Sequence, residues 1–487
     1  MAVLNSLEPK PVFHYFEEIT RIPHGSYNTK EISDYCADFA KARNLRFWQD
    51  SLNNIIIKKP GTPGYESSPP IIIQGHMDMV CEKTLTSAHD FQKDPLDIYV
   101  EDGFVKARDT TLGADDGIAV AMALALLDST DIIHPPLEVV LTTEEETGME
   151  GAEGIDLSVL EGTNLLNLDS EDGDTIIAGC AGGFRFKLTL PVHRQKRKGD
   201  LVEVRIQGLK GGHSGTEIVY QRGNANKLAG RLLNSLLLKL PAEAFSLLDI
   251  TGGAKDNVIP SSCCLKLITD DSQAVRALIE ESIHVWKQEF GEEEPSLEAV
   301  ISVDAMEENT AARDVLTNED MQKTVFFLSH CPNGVYEYSR GALNLPDTSD
   351  NLGVISASDD QITFHLLVRS LTASKLQEMK ESLIGWAGNL QACYEISGEY
   401  PAWRFKKESA IRHIASRAFT KIYGKEPVIE TIHAGLECGL LTGKKPELDC
   451  VSFGPLMYDI HSVNERLSIE STGIIWKILL EILKECK

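Results

Sequence analysis

Short apolar runs that end in ionisable residues are the most informative pattern in the first third of the chain. The runs are Pro70–Gln74 before His76, Leu137–Leu141 before Glu144–Glu146, and Asn164–Leu168 before Asp169. Runs of this length, bounded by polar residues, are typical of buried strands. Side chains at the carboxyl ends of neighbouring strands converge in one crevice. The pattern therefore predicts a single site built from these residues.

Strands and helices alternate over the first part of the chain. The pattern predicts a helix over 31–43, an extended segment over 54–59 and a helix over 117–128, between the apolar runs described above. Such alternation is typical of an α/β fold. The α/β style returns near Gly398, with a helix over 409–423, a strand over 448–453 and a final helix over 468–483.

The middle of the chain has a different pattern of predicted strands and helices. Strands are predicted over 201–206, 300–303 and 361–368, with helices over 226–238 and 272–290. We predict an α+β domain over residues 187–397, inserted into a catalytic domain made of residues 1–186 and 398–487. Because strands and helices run there in a similar order twice, a duplicated unit is an alternative.

Composition limits the class of protein. A chain of 487 residues is longer than a single hydrophobic core usually serves, so two domains are expected. The net charge of −26 opposes binding to nucleic acid and anionic membranes. No uncharged run approaches the roughly 20 residues that span a bilayer, and the first residues lack a secretory signal pattern. A cytoplasmic location is expected.

Two further features receive plain structural interpretations. The ten cysteines form no C-x-x-C pair, which favours reduced thiols. The basic run His193–Lys198 is predicted to be a solvated hairpin tip rather than a binding patch.

The residues that end the apolar runs suit a divalent metal. His76 and the segment Leu112–Gly117, which contains Asp115 and Asp116, add to the acidic run Glu144–Glu146. Carboxylates and neutral imidazole without thiolates favour zinc, with cobalt or manganese as competitors.

Several motifs together carry a resemblance to a known family. They are His76–Val80, Thr110–Asp115, Cys180–Gly183, Gly208–Gly215 and Ile432–Gly439. The chain resembles the di-zinc exopeptidase family, which includes tripeptidase T, glutamate carboxypeptidase and aminoacylase, and most closely its members that cleave aminoacyl-histidine dipeptides. The resemblance implies an α/β fold, with a discontinuous catalytic domain and an inserted α+β lid domain.

The resemblance also implies roles for the metal ligands. Asp115 would bridge two metals, His76 and Asp169 would complete one site, and Glu146 and His461 would complete the other. A shared carboxylate holds two cations about 3.5 to 4 Å apart, so both can polarise one water or hydroxide.

The three consecutive glutamates pose a question of register, since the family needs only two. Because the family places the pair directly before a small residue and a glycine, Glu145 is expected to be the general base and Glu146 the ligand. Glu144 is then an ordinary surface or strand residue. Asp78 is expected to hydrogen-bond the imidazole of His76. Asp116 receives no role.

Substrate-binding residues are expected in the inserted domain and in one later loop. By the resemblance, His213 would donate to the oxyanion of the reaction, and Asn257 and Arg369 would bind the scissile carbonyl or the terminal carboxylate. A structural salt bridge is the alternative for Arg369. Gly435 and Glu437 lie in a loop expected to hold the amino end of the substrate.

The expected activity is zinc-dependent hydrolysis of dipeptides with a free amino terminus, with a preference for Xaa-His such as β-alanyl-histidine. The resemblance also suggests a homodimer. A broader dipeptidase or an N-acyl amino acid amidohydrolase would use the same machinery. A metal-binding or peptide-binding protein without turnover is less favoured, because binding alone does not require Glu145.

Overall fold

The computed structural model describes residues 3–241, 243–305, 311–340 and 344–487. The helices of these residues are α1 (Lys10–Ile19), α2 (Lys30–Ala42), α3 (Ala114–Asp128), α4 (Glu145–Gly148), α5 (Glu150–Gly154), α6 (Ala225–Lys239), α7 (Ser272–Phe290), α8 (Asn318–His330), α9 (Ala373–Leu390), α10 (Ala410–Tyr423), α11 (Glu437–Lys444) and α12 (Ile469–Glu485). No described helix is both long enough and apolar enough to cross a bilayer.

The strands of the described residues are β1 (Arg46–Gln49), β2 (Ile55–Lys59), β3 (Ile71–His76), β4 (Ile98–Glu101), β5 (Phe104–Ala107), β6 (Leu137–Thr142), β7 (Asn164–Asn167), β8 (Thr175–Cys180), β9 (Gly182–Pro191), β10 (Arg194–Arg197), β11 (Asp200–Gln207), β12 (Phe245–Gly252), β13 (Cys263–Thr269), β14 (Glu298–Asp304), β15 (Arg313–Leu316), β16 (Gly334–Tyr338), β17 (Pro346–Ala357), β18 (Gln361–Ser370), β19 (Cys393–Tyr400), β20 (Val428–Ile432), β21 (Asp449–Ser452), β22 (Met457–Tyr458) and β23 (Arg466–Ser468).

The chain divides into two compact units. Unit 1 contains residues 1–180, 403–431 and 436–487, and unit 2 contains residues 181–402 and 432–435. Each unit has its own apolar core, with Phe13, Phe16 and Phe419 in unit 1 and Phe184 and Phe364 in unit 2. The domain boundaries near residues 186 and 397 stay a prediction.

Unit 1 is built on a mixed sheet of eight strands. Its order is β1-β2-β6-β3-β7-β21-β8-β20, with β6, β3, β7 and β21 parallel to their neighbours in this stretch. β3 and β6 are buried along their full length. This explains why their sequences are continuous apolar runs. A separate four-stranded sheet has the order β22-β23-β5-β4.

Helix α3 packs between the sheet and another helix. It contacts both β3 and α1, and residues from Ala114 to Leu127 are all buried. A helix covered on both sides is apolar all round, which fits its sequence of alanine, leucine and valine. The sequence predicted its start at Gly117. The helix begins three residues earlier, although Asp115 and Asp116 have non-helical backbone angles.

Unit 2 contains a large, predominantly antiparallel sheet covered by helices. The strand order is β14-β11-β13-β12-β17-β18-β9-β19, and β16 pairs with β17. The residues directly before helices α6, α7 and α8 are Asn224, Asp271 and Thr317. Their side chains accept hydrogen bonds from backbone N–H groups of the first turn. Such N-caps satisfy donors that the helix itself leaves unpaired.

The prediction of a hairpin tip for the basic run is wrong. Residues Arg194–Arg197 form strand β10, which pairs antiparallel with β15. Arg194 donates to the carbonyl groups of Leu248, Ser358 and Asp359, and Lys196 pairs with the carboxylate of Asp314. The charge run gave no sign of the pairing between β10 and β15, because the two strands lie more than 100 residues apart in the sequence.

Candidate metal centre

Parallel strands of unit 1 bring the predicted ligands to one edge of the sheet. β3 ends at His76, β6 ends just before the acidic run, and β7 ends two residues before Asp169. In the parallel register His76 lies opposite Thr142, and Gln74 lies opposite Asn167. Their carboxyl ends therefore lie side by side, as the apolar runs predicted.

The carboxylate of Asp115 lies between two imidazole rings. Its Oδ1 is 3.2 Å from Nε2 of His76, and its Oδ2 is 3.0 Å from Nε2 of His461. The same atom of His76 is 3.8 Å from Oδ1 of Asp169. The same atom of His461 is 3.0 Å from Oε2 of Glu146. The five predicted ligands thus form two groups that share Asp115.

Burial and mutual repulsion control the charges of these groups. Burial raises the pKa of Asp169 and of Glu145 well above the usual range, and neighbouring carboxylates add to both shifts. Burial also favours the protonated form of Asp115, but hydrogen bonds with His461 and His76 outweigh it and lower its pKa. Burial lowers the pKa of His461, yet hydrogen bonds with Asp115 and Glu146 raise it to about 11.

The donor set fits divalent cations. Two groups of described residues bring ligand atoms within 4.8 Å of one another: His76 with Asp115 and Glu146, and His76 with Asp116 and Asp169. Oε1 of Glu146 is buried and has no hydrogen-bond partner among the described residues. Crowded, buried carboxylates of this kind are stabilised by a nearby positive charge. Imidazole nitrogen and carboxylate oxygen are ligands that zinc accepts.

Asp116, to which the sequence analysis assigned no role, accepts a hydrogen bond from the backbone of His76. Its side chain is fully buried, and Oδ2 accepts the backbone N–H of His76 at 3.3 Å. Within the part of the chain that the structure describes, Oδ1 has no hydrogen-bond partner. One of the two ligand groups contains Asp116 together with His76 and Asp169, so it is an additional carboxylate close to the predicted set.

Asp78 holds the segment that carries Glu145 and Glu146. Its carboxylate accepts the backbone N–H of Glu145 at 3.1 Å, that of Glu146 at 3.4 Å and the hydroxyl of Ser26 at 2.8 Å. Nδ1 of His76 is 3.0 Å from the backbone oxygen of Asp78 and 3.6 Å from its carboxylate. The backbone oxygen is therefore the nearer acceptor for the imidazole.

Glu144 is a buried anchor, and its interpretation as an ordinary surface or strand residue is wrong. Its carboxylate accepts the backbone N–H of Tyr27 at 2.5 Å and the hydroxyl of Thr29 at 3.0 Å. Burial raises its pKa. The sequence gave no indication of this role, because the contacts join segments more than 110 residues apart.

Glu437 is also buried, in the first turn of α11. Its carboxylate accepts hydrogen bonds from Gln74 and from Thr142, the latter at 2.6 Å. Burial raises its pKa to about 7. The sequence placed Glu437 in a loop, but it is the first residue of α11. Its expected part in holding the amino end of a substrate stays a prediction.

The remaining predicted residues lie in unit 2, where three of them share one neighbourhood. The backbone N–H of Ser214, next to His213, donates to the carbonyl of Asn257 at 2.9 Å. Gly215 lies between His213 and Arg369, since a Cβ on it would be 3.0 Å from Cε1 of the first and 3.2 Å from Nε of the second. Unit 2 thus brings His213, Asn257 and Arg369 together.

Arg369 and Gly435 occupy well-defined positions in the same unit. Arg369 is buried and donates to the hydroxyl of Tyr400 at 2.8 Å. Gly435 follows His433 by two residues, and Nε2 of His433 is 2.7 Å from the hydroxyl of Ser349. Burial lowers the pKa of His433 to about 3, which makes it a neutral side chain.

Comparisons with known proteins agree with this geometry. The model of peptidase family M20/M25/M40 matches residues 72–485. The cytosol non-specific dipeptidase of Escherichia coli K12 is 38% identical over 492 residues, which cover 100% of this chain and 99% of that protein.

Solved structures give the same result. The aminoacylhistidine dipeptidase of Vibrio alginolyticus superposes with a TM-score of 0.83 and 35% identity, covering 99% of this chain and 97% of that one. An aminopeptidase PepT from Bacillus cereus shares the fold, with a TM-score of 0.55 and 16% identity over 99% of each chain. The predicted α/β fold class and the resemblance to metal-dependent exopeptidases are confirmed, and the chain belongs to peptidase family M20/M25/M40.

Proposed function

We propose that this protein hydrolyses dipeptides with a free amino terminus, in a reaction that depends on two divalent metal ions, and that zinc is the metal. The observation that carries the proposal is the shared carboxylate of Asp115, with His76 on one side and His461 on the other. His76, Asp115 and Asp169 would hold one ion, and Asp115, Glu146 and His461 the other. Cobalt or manganese can substitute in such nitrogen and oxygen sites.

Two bound cations would lower the pKa of a water molecule and polarise the peptide carbonyl. The residues of the chain supply the proton transfers. Glu145 accepts a proton from the attacking water and then gives it to the amine of the leaving residue as the peptide bond breaks. Asp78 keeps Glu145 in place through its backbone N–H.

We further propose roles in peptide binding for His213, Asn257, Arg369 and Gly435. His213 would donate to the developing oxyanion, and Asn257 and Gly435 would contact the substrate backbone. Arg369 would bind the terminal carboxylate, because its planar guanidinium can donate to both oxygens. The grouping of His213, Asn257 and Arg369 around Gly215 supports a common role.

The preferred substrate is proposed to be Xaa-His. The Vibrio relative is named for aminoacylhistidine substrates, and the Escherichia coli relative is named a non-specific dipeptidase. The second name favours a broader dipeptidase as the alternative. Release of amino acids from β-alanyl-histidine, leucyl-histidine and leucyl-glycine separates the two, since similar kcat/KM values for all three would contradict a histidine preference.

The activity itself is tested by metal removal and by one substitution. Chelation is expected to abolish dipeptide hydrolysis, and added zinc to restore it. Glu145→Gln is expected to lower kcat by about 10²–10⁴-fold while zinc binding persists. Glu150→Gln is the matched control, since the carboxylate of Glu150 accepts hydrogen bonds from the hydroxyls of Tyr27 and Thr147 and is not among the predicted catalytic residues or ligands.

Three outcomes would contradict parts of the proposal. An active Glu145→Gln variant would contradict the role of the base. Hydrolysis of N-acyl amino acids but not of free dipeptides would identify an amidohydrolase. Peptide binding without product release by the zinc-loaded protein would identify a binding protein.

We also propose a cytoplasmic homodimer. The relative from Escherichia coli is named a cytosol enzyme. In unit 2, β14 is an edge strand of the described sheet, and Val300 and Val303 on it are 50% and 39% exposed. Exposed apolar edge strands invite pairing with another chain. Sedimentation of the wild-type protein and of Val300→Lys tests this, and a wild-type monomer would contradict it.

A further inference from the structure

Glu465 is a buried carboxylate outside the predicted set of ligands and catalytic residues. It is 4% exposed and lies four residues after His461. Its two oxygens accept the backbone N–H groups of four consecutive residues, Leu112–Asp115, at distances between 2.7 and 3.4 Å. One side chain thus fixes a whole segment of backbone.

The segment is well suited to receive a carboxylate. It leads into α3, but Asp115 and Asp116 have non-helical backbone angles, so these four N–H groups lie ahead of the regular turns of the helix. Gly113 has a φ of +67°, which lets successive N–H groups converge on one anion. Glu465 provides this anion from more than 340 residues away.

Glu465 therefore links the segments that carry two of the predicted ligands. Asp115 is the last residue whose N–H it accepts, and His461 precedes it by one short turn. Between these segments, Oδ2 of Asp115 lies 3.0 Å from Nε2 of His461. The hydrogen bonds that the carboxylate of Glu465 accepts from the backbone lie close to this contact, and they restrain the segment of Asp115 relative to the segment of His461.

We propose that Glu465 is a positioning residue of the metal centre, which acts by fixing the backbone of Leu112–Asp115 relative to the segment of His461. Through this restraint it sets the spacing between the carboxylate of Asp115 and the imidazole of His461, and so the affinity and the geometry for the ion they hold. The inference rests on the proposed metal centre.

The test uses cobalt binding by the full-length protein. Glu465→Gln keeps the shape of the side chain, but its amide nitrogen would face backbone N–H groups and could not accept them. Co²⁺ is titrated into metal-free protein, and its affinity and visible absorption bands are recorded. Glu138→Gln is the matched control, since Glu138 is also buried in unit 1 and accepts two backbone N–H groups, of Glu161 and Gly162.

Glu465→Gln is expected to weaken cobalt affinity by about 10–100-fold, the usual effect of losing a residue that supports metal ligands, and to change the visible bands. Glu138→Gln is expected to lower the thermal midpoint and to leave affinity and bands as in the wild type. A folded Glu465→Gln protein with wild-type bands and an affinity within about twofold of the wild type would overturn the inference.

Two further arms keep the result decisive. If Glu465→Gln does not fold, Glu465→Asp is compared with Glu138→Asp: weaker cobalt binding only in the first supports the inference, and equal binding overturns it. If the wild-type protein binds no cobalt, the proposed metal centre fails, and the inference fails with it. Cobalt binding by the wild type that Glu465 variants leave unchanged overturns only the inference.

Discussion

Gly151 is expected to tolerate no side chain, because the backbone beside the acidic run passes directly against it. A Cβ on Gly151 would lie 2.2 Å from the carbonyl oxygen of Thr143 and 2.6 Å from Oδ1 of Asn54. Both neighbours are fixed. The N–H of Thr143 donates to Asn54 at 3.1 Å, and Asn54 donates to the carbonyl of Gly151 at 3.0 Å.

The magnitude follows from these contacts. Real Cβ atoms essentially never approach closer than 3.0 Å, so Gly151→Ala requires a backbone shift of about 0.8 Å, and overpacking of this kind costs about 1–3 kcal/mol. Two weakened hydrogen bonds add about 0.5–1.5 kcal/mol each. The free energy of unfolding should fall by about 2–6 kcal/mol.

Activity should fall as well, because Thr143 lies two residues before Glu145. A shift approaching 1 Å in a catalytic group can cost about 100-fold in rate, so kcat for a dipeptide is expected to fall by about that factor. Urea unfolding followed by circular dichroism measures stability, and product release measures kcat.

Gly148→Ala is the matched control for this substitution. The three atoms nearest to a Cβ there belong to the carboxylate end of Glu150, the first at 3.2 Å, and a flexible side chain can move away. Alanine is also a better helix former than glycine. The reasoning is refuted if Gly151→Ala unfolds within about 0.5 kcal/mol of Gly148→Ala and keeps its kcat.

Three other predictions concern stability and substrate binding. Burial raises the pKa of Asp350 well above its usual range, so the folded protein keeps a proton that the unfolded chain releases. The contribution of Asp350 to the free energy of unfolding therefore falls as pH rises above about 4, by up to about 1.4 kcal/mol per pH unit. Urea titrations from pH 4 to 8 should show that Asp350→Asn lacks this contribution to the slope, and equal slopes for the variant and the wild type would contradict it. The amide of Asn351 donates at 2.8 Å to the carbonyl groups of the two residues that flank Asn257. Asn351→Ala should therefore raise KM for a dipeptide about 10-fold, which corresponds to about 1.4 kcal/mol, and should lower kcat by a smaller factor. Steady-state kinetics measure both constants, and an unchanged KM would contradict the prediction. Phe419 is fully buried, so Phe419→Ala should cost about 3–5 kcal/mol in urea unfolding, whereas Leu85→Ala, at an exposed position, should stay within about 0.5 kcal/mol of the wild type.

The sequence predicted the part of the fold in which local pattern and burial agree. Strands β3 and β6 are buried on both faces, so their residues are apolar without alternation and the ionisable residues stand out at their ends. The ligand positions follow, because parallel strands that begin together also end together. The pattern therefore predicted that His76 and the acidic run Glu144–Glu146 lie at neighbouring strand ends, whereas the choice of Glu146 within that run came from the family resemblance and stays a prediction.

Other features depend on pairings between distant residues and left no local pattern. β10 is a strand because it meets β15, although its sequence is that of a charged loop. Glu144 and Glu465 are anchored to segments more than 110 and 340 residues away. A buried carboxylate of this type has the same sequence appearance as an exposed one, and only its donors distinguish the two.

The place of β21 in the sheet has a consequence for the synthesis of the protein. β21 lies between β7 and β8, yet it is made about 270 residues after β8, which takes roughly 15 to 50 s at about 5–20 residues per second. Until then the growing chain holds β7 and β8 without the strand that separates them, and without His461. The nascent polypeptide should therefore expose unpaired strand edges for much of its time on the ribosome, and the proposed ion site that includes His461 can form only after that residue has been made.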